Sequence, residues 1–179
     1  AKAQGRLSLN PIKHIDPIMT IALPLFLAVM GGPIFGGAKP VPFNPHKVRY
    51  GEWGAALVAI AGPLTNLLIA FVVFGVGVLS GVITSAGVEA TLAGQIVITA
   101  VSVNLGFFVF NILPIPPLDG SRVLYALAPD PVKAGMEYIE RYGIFLVFGL
   151  VLIGASVLGQ IMAGGINGIL QLFMTIFRV

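Results

Sequence analysis

The sequence predicts an all-α, polytopic membrane protein, and three observations carry that prediction. Four stretches hold no Asp, Glu, Lys or Arg: Pro17–Ala38, Trp53–Val88, Ala90–Leu118 and Tyr142–Phe177, with 123 of the 179 residues between them. These runs are continuously apolar, without the period-two alternation of a transmembrane barrel strand, so the spanning segments must be helices. The few charges cluster between the runs. Hydrophobic residues make up 57% and charged residues 9%, against ~25% charged in a soluble domain. Ten Lys+Arg against seven Asp+Glu leave +3. That excludes a surface that tracks nucleic-acid phosphates. With no cysteine, disulfides, iron–sulfur clusters and thiolate zinc sites are excluded as well.

The elements follow in order, as one transmembrane domain over 1–179. Pro17–Ala38 is interrupted by Pro17, Pro24 and Pro33 and also contains Gly31, Gly32, Gly36 and Gly37. Helix breakers at that density predict a re-entrant segment packed against protein. Ala55–Ile83 is long enough to span with tilt, with Gly62-Pro63 near its start. Leu92–Leu113 is a clean span, stopped by Pro114, Pro116 and Pro117. A short helix restarts over Ser121–Leu127. Tyr142–Phe177 exceeds one span of roughly 20 residues. It predicts either a hairpin turning near Gly164-Gly165 or one span followed by an interfacial helix.

Loop charges set the topology. Lys2, Arg6 and Lys13, then Lys39, Lys47 and Arg49, then Arg122, Lys133 and Arg141 lie on the cytoplasmic side by the positive-inside rule. The loop Thr84–Thr91, with Glu89 alone, lies outside. This works only if Pro17–Ala38 enters and returns, in agreement with its prolines.

Intramembrane polar residues mark function or helix packing. Thr65, Asn66, Asn104 and Asn111 are such residues. Asn104 and Asn111 are seven apart and share a helical face, and their plainer role is an interhelical hydrogen bond. Asp119 follows the proline-rich run, and its plainer role is the N-cap of the next helix. Its place at the inner end of a charge-free span also suits a hard oxygen ligand for a metal. His14 and His46 are the only histidines and sit in polar loops. A zinc site from His14, His46 and Asp119 ranks below a solvated role for both. Gly77–Gly81 and Gly164–Gly168 match small-xxx-small spacing, a weak signal among 23 glycines.

Four segments together resemble the site-2 protease family of intramembrane zinc metalloproteases. The run Asn111-Ile-Leu-Pro-Ile-Pro-Pro-Leu-Asp119-Gly120 resembles its Asn…Pro…Asp-Gly motif. Gly5-Arg6-Leu7-Ser8-Leu9-Asn10-Pro11 with His14-Ile15-Asp16-Pro17 resembles the stretch after its zinc helix. Ala38-Lys39-Pro40-Val41-Pro42 with Asn44-Pro45 resembles its hydrophobic re-entrant loop, and Ala61-Gly62-Pro63-Leu64-Thr65-Asn66 the start of its next membrane helix. The resemblance covers about residues 5–125, and 142–177 adds C-terminal membrane helices.

The resemblance implies a site-2 protease-like core that cleaves transmembrane-helix substrates in the bilayer. It implies zinc as cofactor, Asp119 as its third protein ligand and Asn111 as the catalytic residue beside the metal, stabilising the developing oxyanion or positioning the peptide. The Ala38–Pro42 region would place an unwound substrate, and Asn66 would pack near the site. The family's His-Glu-x-x-His does not occur in these residues. That motif sets two His ligands on one helical face with Glu as general base. The expectation is therefore that this chain is the larger part of the protease, and that an N-terminal zinc-binding helix of the same protein completes it. The compact architecture suits a prokaryotic cell membrane, with the site near the cytoplasmic face. Two other readings stand beside this one: a non-catalytic scaffold or pseudo-protease in which Asp119 only caps, and a small transporter whose Asn and Asp residues line a polar path.

Overall fold

The structure is a computed structural model, and it describes residues 17–29, 50–152 and 154–179. These fall into two units, divided at Asn44/Pro45. In the first, a π-helical turn over Pro17–Ala22 runs into α1, Leu23–Val29. Thirteen helical residues rise at most ~20 Å, short of the ~30 Å hydrocarbon core. Residues 30–38 of the expected re-entrant stretch lie outside the described residues.

In the second unit, α2 (Gly51–Leu79) and α3 (Leu92–Asn111) are joined by a two-stranded antiparallel hairpin. Its strands are β1, Ile83–Thr84, and β2, Gly87–Val88, with Ile83 opposite Val88. The short helices α4 (Gly120–Leu127), α5 (Asp130–Arg141) and α6 (Gly143–Leu152) follow, and α7 (Ala155–Phe177) closes the chain. Among the described residues, three helices are long and apolar enough to cross a membrane: Gly51–Leu79, Leu92–Asn111 and Ser156–Phe177. Large apolar side chains on all three are exposed, such as Leu57, Val76, Ile96, Phe107 and Leu172. That is the pattern of helices solvated by lipid.

Each long helix has a local reason for its limits. α2 begins four residues before the expected start, at Gly51-Glu52-Trp53, and ends at Leu79 in the hairpin rather than at Ile83. Pro63 lies within it and is fully buried. Two residues on, the Thr65 hydroxyl donates to Ala61 O at 2.7 Å, a back-bond that accommodates local bending. Thr91 caps α3, its Oγ1 accepting from Gly94 N at 3.1 Å.

The core lies where α2, α3 and α7 meet: Ala70, Phe74, Ile83, Val101, Leu105 and Phe173 are buried together. Phe71 and Phe74 of α2 pack their rings on Phe173 and Phe177 of α7, with centroids 5.2 to 5.7 Å apart. Glycines permit the approach. A Cβ on Gly165 of α7 would lie 2.8 Å from Val109 of α3, and one on Gly75 of α2 would lie 2.7 Å from the Phe177 ring. With lipid outside, close van der Waals packing is what holds such helices together.

The fourth apolar stretch differs from expectation. It neither turns at Gly164-Gly165, which lie inside α7, nor runs as a span followed by a second helix. The order is reversed: α6 has ten residues, about 15 Å, and the span comes after it. Of the two small-residue pairs, Gly81 stands beyond the end of α2 in a left-handed turn, so Gly77–Gly81 is no helix-packing motif.

Candidate metal centre and active site

The site is built by the turn between α3 and α4. After Asn111 the prolines cannot continue the helix, and Leu118 N closes a turn onto Ile115 O at 2.9 Å. The chain then doubles back. A Cβ on Gly120 would lie 2.1 Å from Ile112 O and 2.7 Å from Leu113 O. No side chain fits there, so Gly120 is what lets the start of α4 press against the end of α3. The head of α4 is thereby folded back onto the end of α3: Asn111 ends α3, and Asp119 stands just before Gly120, which packs on the Ile112 and Leu113 carbonyls.

Asp119 does not cap α4. Its backbone is already helical and its side chain makes no cap hydrogen bond; the buried Ser121 hydroxyl instead donates to Leu118 O at 2.7 Å. Its Oδ2 faces α2, 3.6 Å from where a Cβ on Gly62 would begin. The Ala61–Asn66 segment thus supplies a bare wall to the carboxylate, and Asn66 lies one turn beyond Gly62 on the same face. Burial pushes the Asp119 carboxyl above the ordinary carboxylate range, and the Arg122 guanidinium partly opposes this. A half-desolvated, uncapped carboxylate favours a cation as its partner.

Neither asparagine of α3 makes the expected interhelical bond. Asn104 Nδ2 donates to Ala100 O at 2.8 Å, and Asn111 Nδ2 donates to Phe107 O at 2.9 Å, both within their own helix. Each amide nitrogen carries two hydrogens, so Asn111 keeps one for another acceptor.

A polar network adjoins the turn. Arg122 of α4 pairs with Glu140 of α5. The Tyr125 hydroxyl donates to Glu137 at 2.5 Å, and this hydrogen bond, with burial and the Glu137 charge, pushes the phenol up to about 12. Lys133 pairs with Glu52 at 2.6 Å and tethers α5 to the first turn of α2. The beginning of α2, the end of α3 and the α4–α5 pair therefore share one end of the bundle, opposite the hairpin. None of these pairs is legible in the sequence: Lys133 and Glu52 lie 81 residues apart, and the other two link separate helices. The sequence reading also gave no role to Gly62, although a glycine before a proline inside a span is the signal that could have found it.

Among the described residues no group of three His, Cys, Asp or Glu could enclose a metal ion. Asp119 fits one position of a metal site and no more. His14, His46 and the Ala38–Pro42 segment lie outside the described residues.

No family model and no solved structure matches the chain. Curated relatives do. The chain is 41% identical over 182 residues to "Putative zinc metalloprotease YwhC" of Bacillus subtilis (strain 168), with 99% of this chain and 80% of YwhC aligned. It is 28% identical over 156 residues to "Putative zinc metalloprotease Rip2" of Mycolicibacterium smegmatis, covering 84% of this chain and 55% of Rip2. A shorter stretch of 67 residues is 40% identical to "Putative zinc metalloprotease MJ0611" of Methanocaldococcus jannaschii, 37% of this chain. The chain thus spans most of YwhC but little more than half of Rip2. Identity at this level over nearly the whole chain places it: this protein belongs to the zinc metalloprotease family that includes YwhC.

Proposed function

We propose that this chain is the larger part of a site-2-type protease, which uses zinc to cleave transmembrane-helix substrates within the bilayer near the cytoplasmic face. The observation that carries the reading is the Asp119 carboxylate, uncapped, half-desolvated and held against Gly62 at the end of a membrane-spanning helix. Asp119 supplies one oxygen ligand, and two histidines and a glutamate general base come from a His-Glu-x-x-His helix outside these residues. Zinc, when bound, activates a water toward a peptide carbonyl.

The chain's own residues do the rest. The spare Asn111 N–H donates toward the oxyanion that develops on the substrate. Gly62 leaves room beside the carboxylate for the scissile peptide. Gly120 and the proline turn fix Asp119 relative to Asn111, so the two act on one point.

The test uses the full-length protein with zinc analysis and a transmembrane reporter substrate. Asp119→Ala loses both zinc and cleavage while the protein still inserts; full cleavage by this variant would overturn the ligand assignment. Asn111→Ala keeps its zinc and turns over about 10²–10³-fold more slowly. Were it to lose zinc instead, Asn111 would be a positioning residue.

A further inference from the structure

Arg122 stands between two carboxylates and pairs with only one. It lies three residues after Asp119, whose backbone is already helical, and its backbone N–H donates to Asp119 O at 3.0 Å. Side chains three apart on a helix are neighbours, and Asp–Arg at that spacing is a favourable pair. The guanidinium goes instead to Glu140 of α5, and no ion pair joins it to Asp119. Among the described residues the Asp119 carboxylate meets no hydrogen-bond donor.

α5 is placed to impose that choice. Arg122 and Tyr125, three apart on α4, bond Glu140 and Glu137, three apart on α5 in the reverse order. The two helices therefore run antiparallel, with these polar positions in register. Lys133 of α5 lies 5.5 Å from the centre of the Tyr125 ring and pairs with Glu52 of α2. Glu140 is thus held over Arg122 by contacts that do not involve Asp119.

We propose that Glu140 is a positioning residue for the metal site: by holding the Arg122 guanidinium, it keeps the Asp119 carboxylate free to take a divalent cation. The inference rests on the reading of Asp119 as a zinc ligand. A guanidinium that closes on a carboxylate occupies both oxygens with a fork of N–H donors, so Arg122 and a cation compete for the same atoms. The Arg122 and Glu140 side chains are 33% and 36% exposed. Their pair is therefore a modest one, and a single substitution can tip Arg122 from one carboxylate to the other.

The zinc affinity of the full-length protein, read by competition with a chelating dye, tests this without any substrate. Glu140→Gln binds zinc about fivefold more weakly, because Arg122 turns to Asp119. Arg122→Gln alone stays within about twofold of the parent, since Glu140 already engages the guanidinium it removes. The double change Glu140→Gln/Arg122→Gln returns to the parent affinity. All three variants lack the Arg122–Glu140 pair, so a merely structural role would weaken them alike, and that result overturns the proposal. So does parental affinity in Glu140→Gln. Equal and opposite shifts in the two single variants overturn it as well, since net charge would then account for both. Asp119→Ala separates the two readings. Zinc binding retained in that variant overturns the ligand assignment itself; zinc lost there, with parental affinity in Glu140→Gln, overturns the role of Glu140 alone.

Discussion

The bundle of α2, α3 and α7 and the polar end around α4 and α5 are held by opposite means. In the bundle, contact comes from ring faces and from glycines that let backbones close in: Phe71, Phe74, Phe173 and Phe177, with Gly75 and Gly165 beneath them. No ion pair among the described residues lies there. At the polar end Arg122–Glu140, Tyr125–Glu137 and Lys133–Glu52 link three helices. Asp119 stands at the border of the two. The polar network is near enough for Arg122 to act on it, while partial burial removes some of its water. The difference teaches that the carboxylate is perturbed because it belongs fully to neither region.

The comparison can be broken or sharpened by substitution. The largest effect is expected at the border. Gly120→Val drives a side chain into the Ile112 and Leu113 carbonyls, costing about 3 kcal/mol. A lower unfolding midpoint accompanied by loss of bound zinc would show the turn to be what places Asp119. Next comes the bundle. Gly165→Leu overpacks α7 on Val109 and costs roughly 1–3 kcal/mol, yet zinc content stays unchanged; metal loss in this variant would mean that the two regions are mechanically one. Lys133→Met removes a partly exposed ion pair and shifts the midpoint by no more than ~1 kcal/mol, less at high salt.

The smallest effect is spectroscopic. Tyr125 titrates near pH 12 against an ordinary 10.0. A raised folded value means that its bond to Glu137 contributes fully below pH 10 and is lost as pH rises through 12. In absorbance titration, Tyr125→Phe should remove a phenol that ionises near pH 12; an unchanged titration at that pH would overturn the assignment.

Much of this was legible from single stretches. The charge-free runs gave α2 and α3 to within four residues, because lipid admits only helices with their backbone bonds made internally. The prolines after Asn111 gave the end of α3, and the restart near Ser121 came within a residue of α4. Less was legible where two distant segments decide. The break at Gly154 is marked by a single glycine in an apolar run, whereas the pair Gly164-Gly165 gave a false signal. The asparagines bonded their own helix, since a back-bond four residues away is always within reach and a partner on another helix is not.

The chain alone carries the helical membrane architecture and the stop of one span near Asn111, with Asp119 set off beyond it by prolines. Hydrophobicity and proline stereochemistry are local, so they can be read from the chain. The folded structure alone shows that Asp119 makes no cap bond, that its carboxylate faces Gly62 of α2, and that Gly120 presses on the Ile112 and Leu113 carbonyls. The contact with Gly62 depends on how closely two backbones approach, and that distance is set by the packing of segments more than fifty residues apart in the chain.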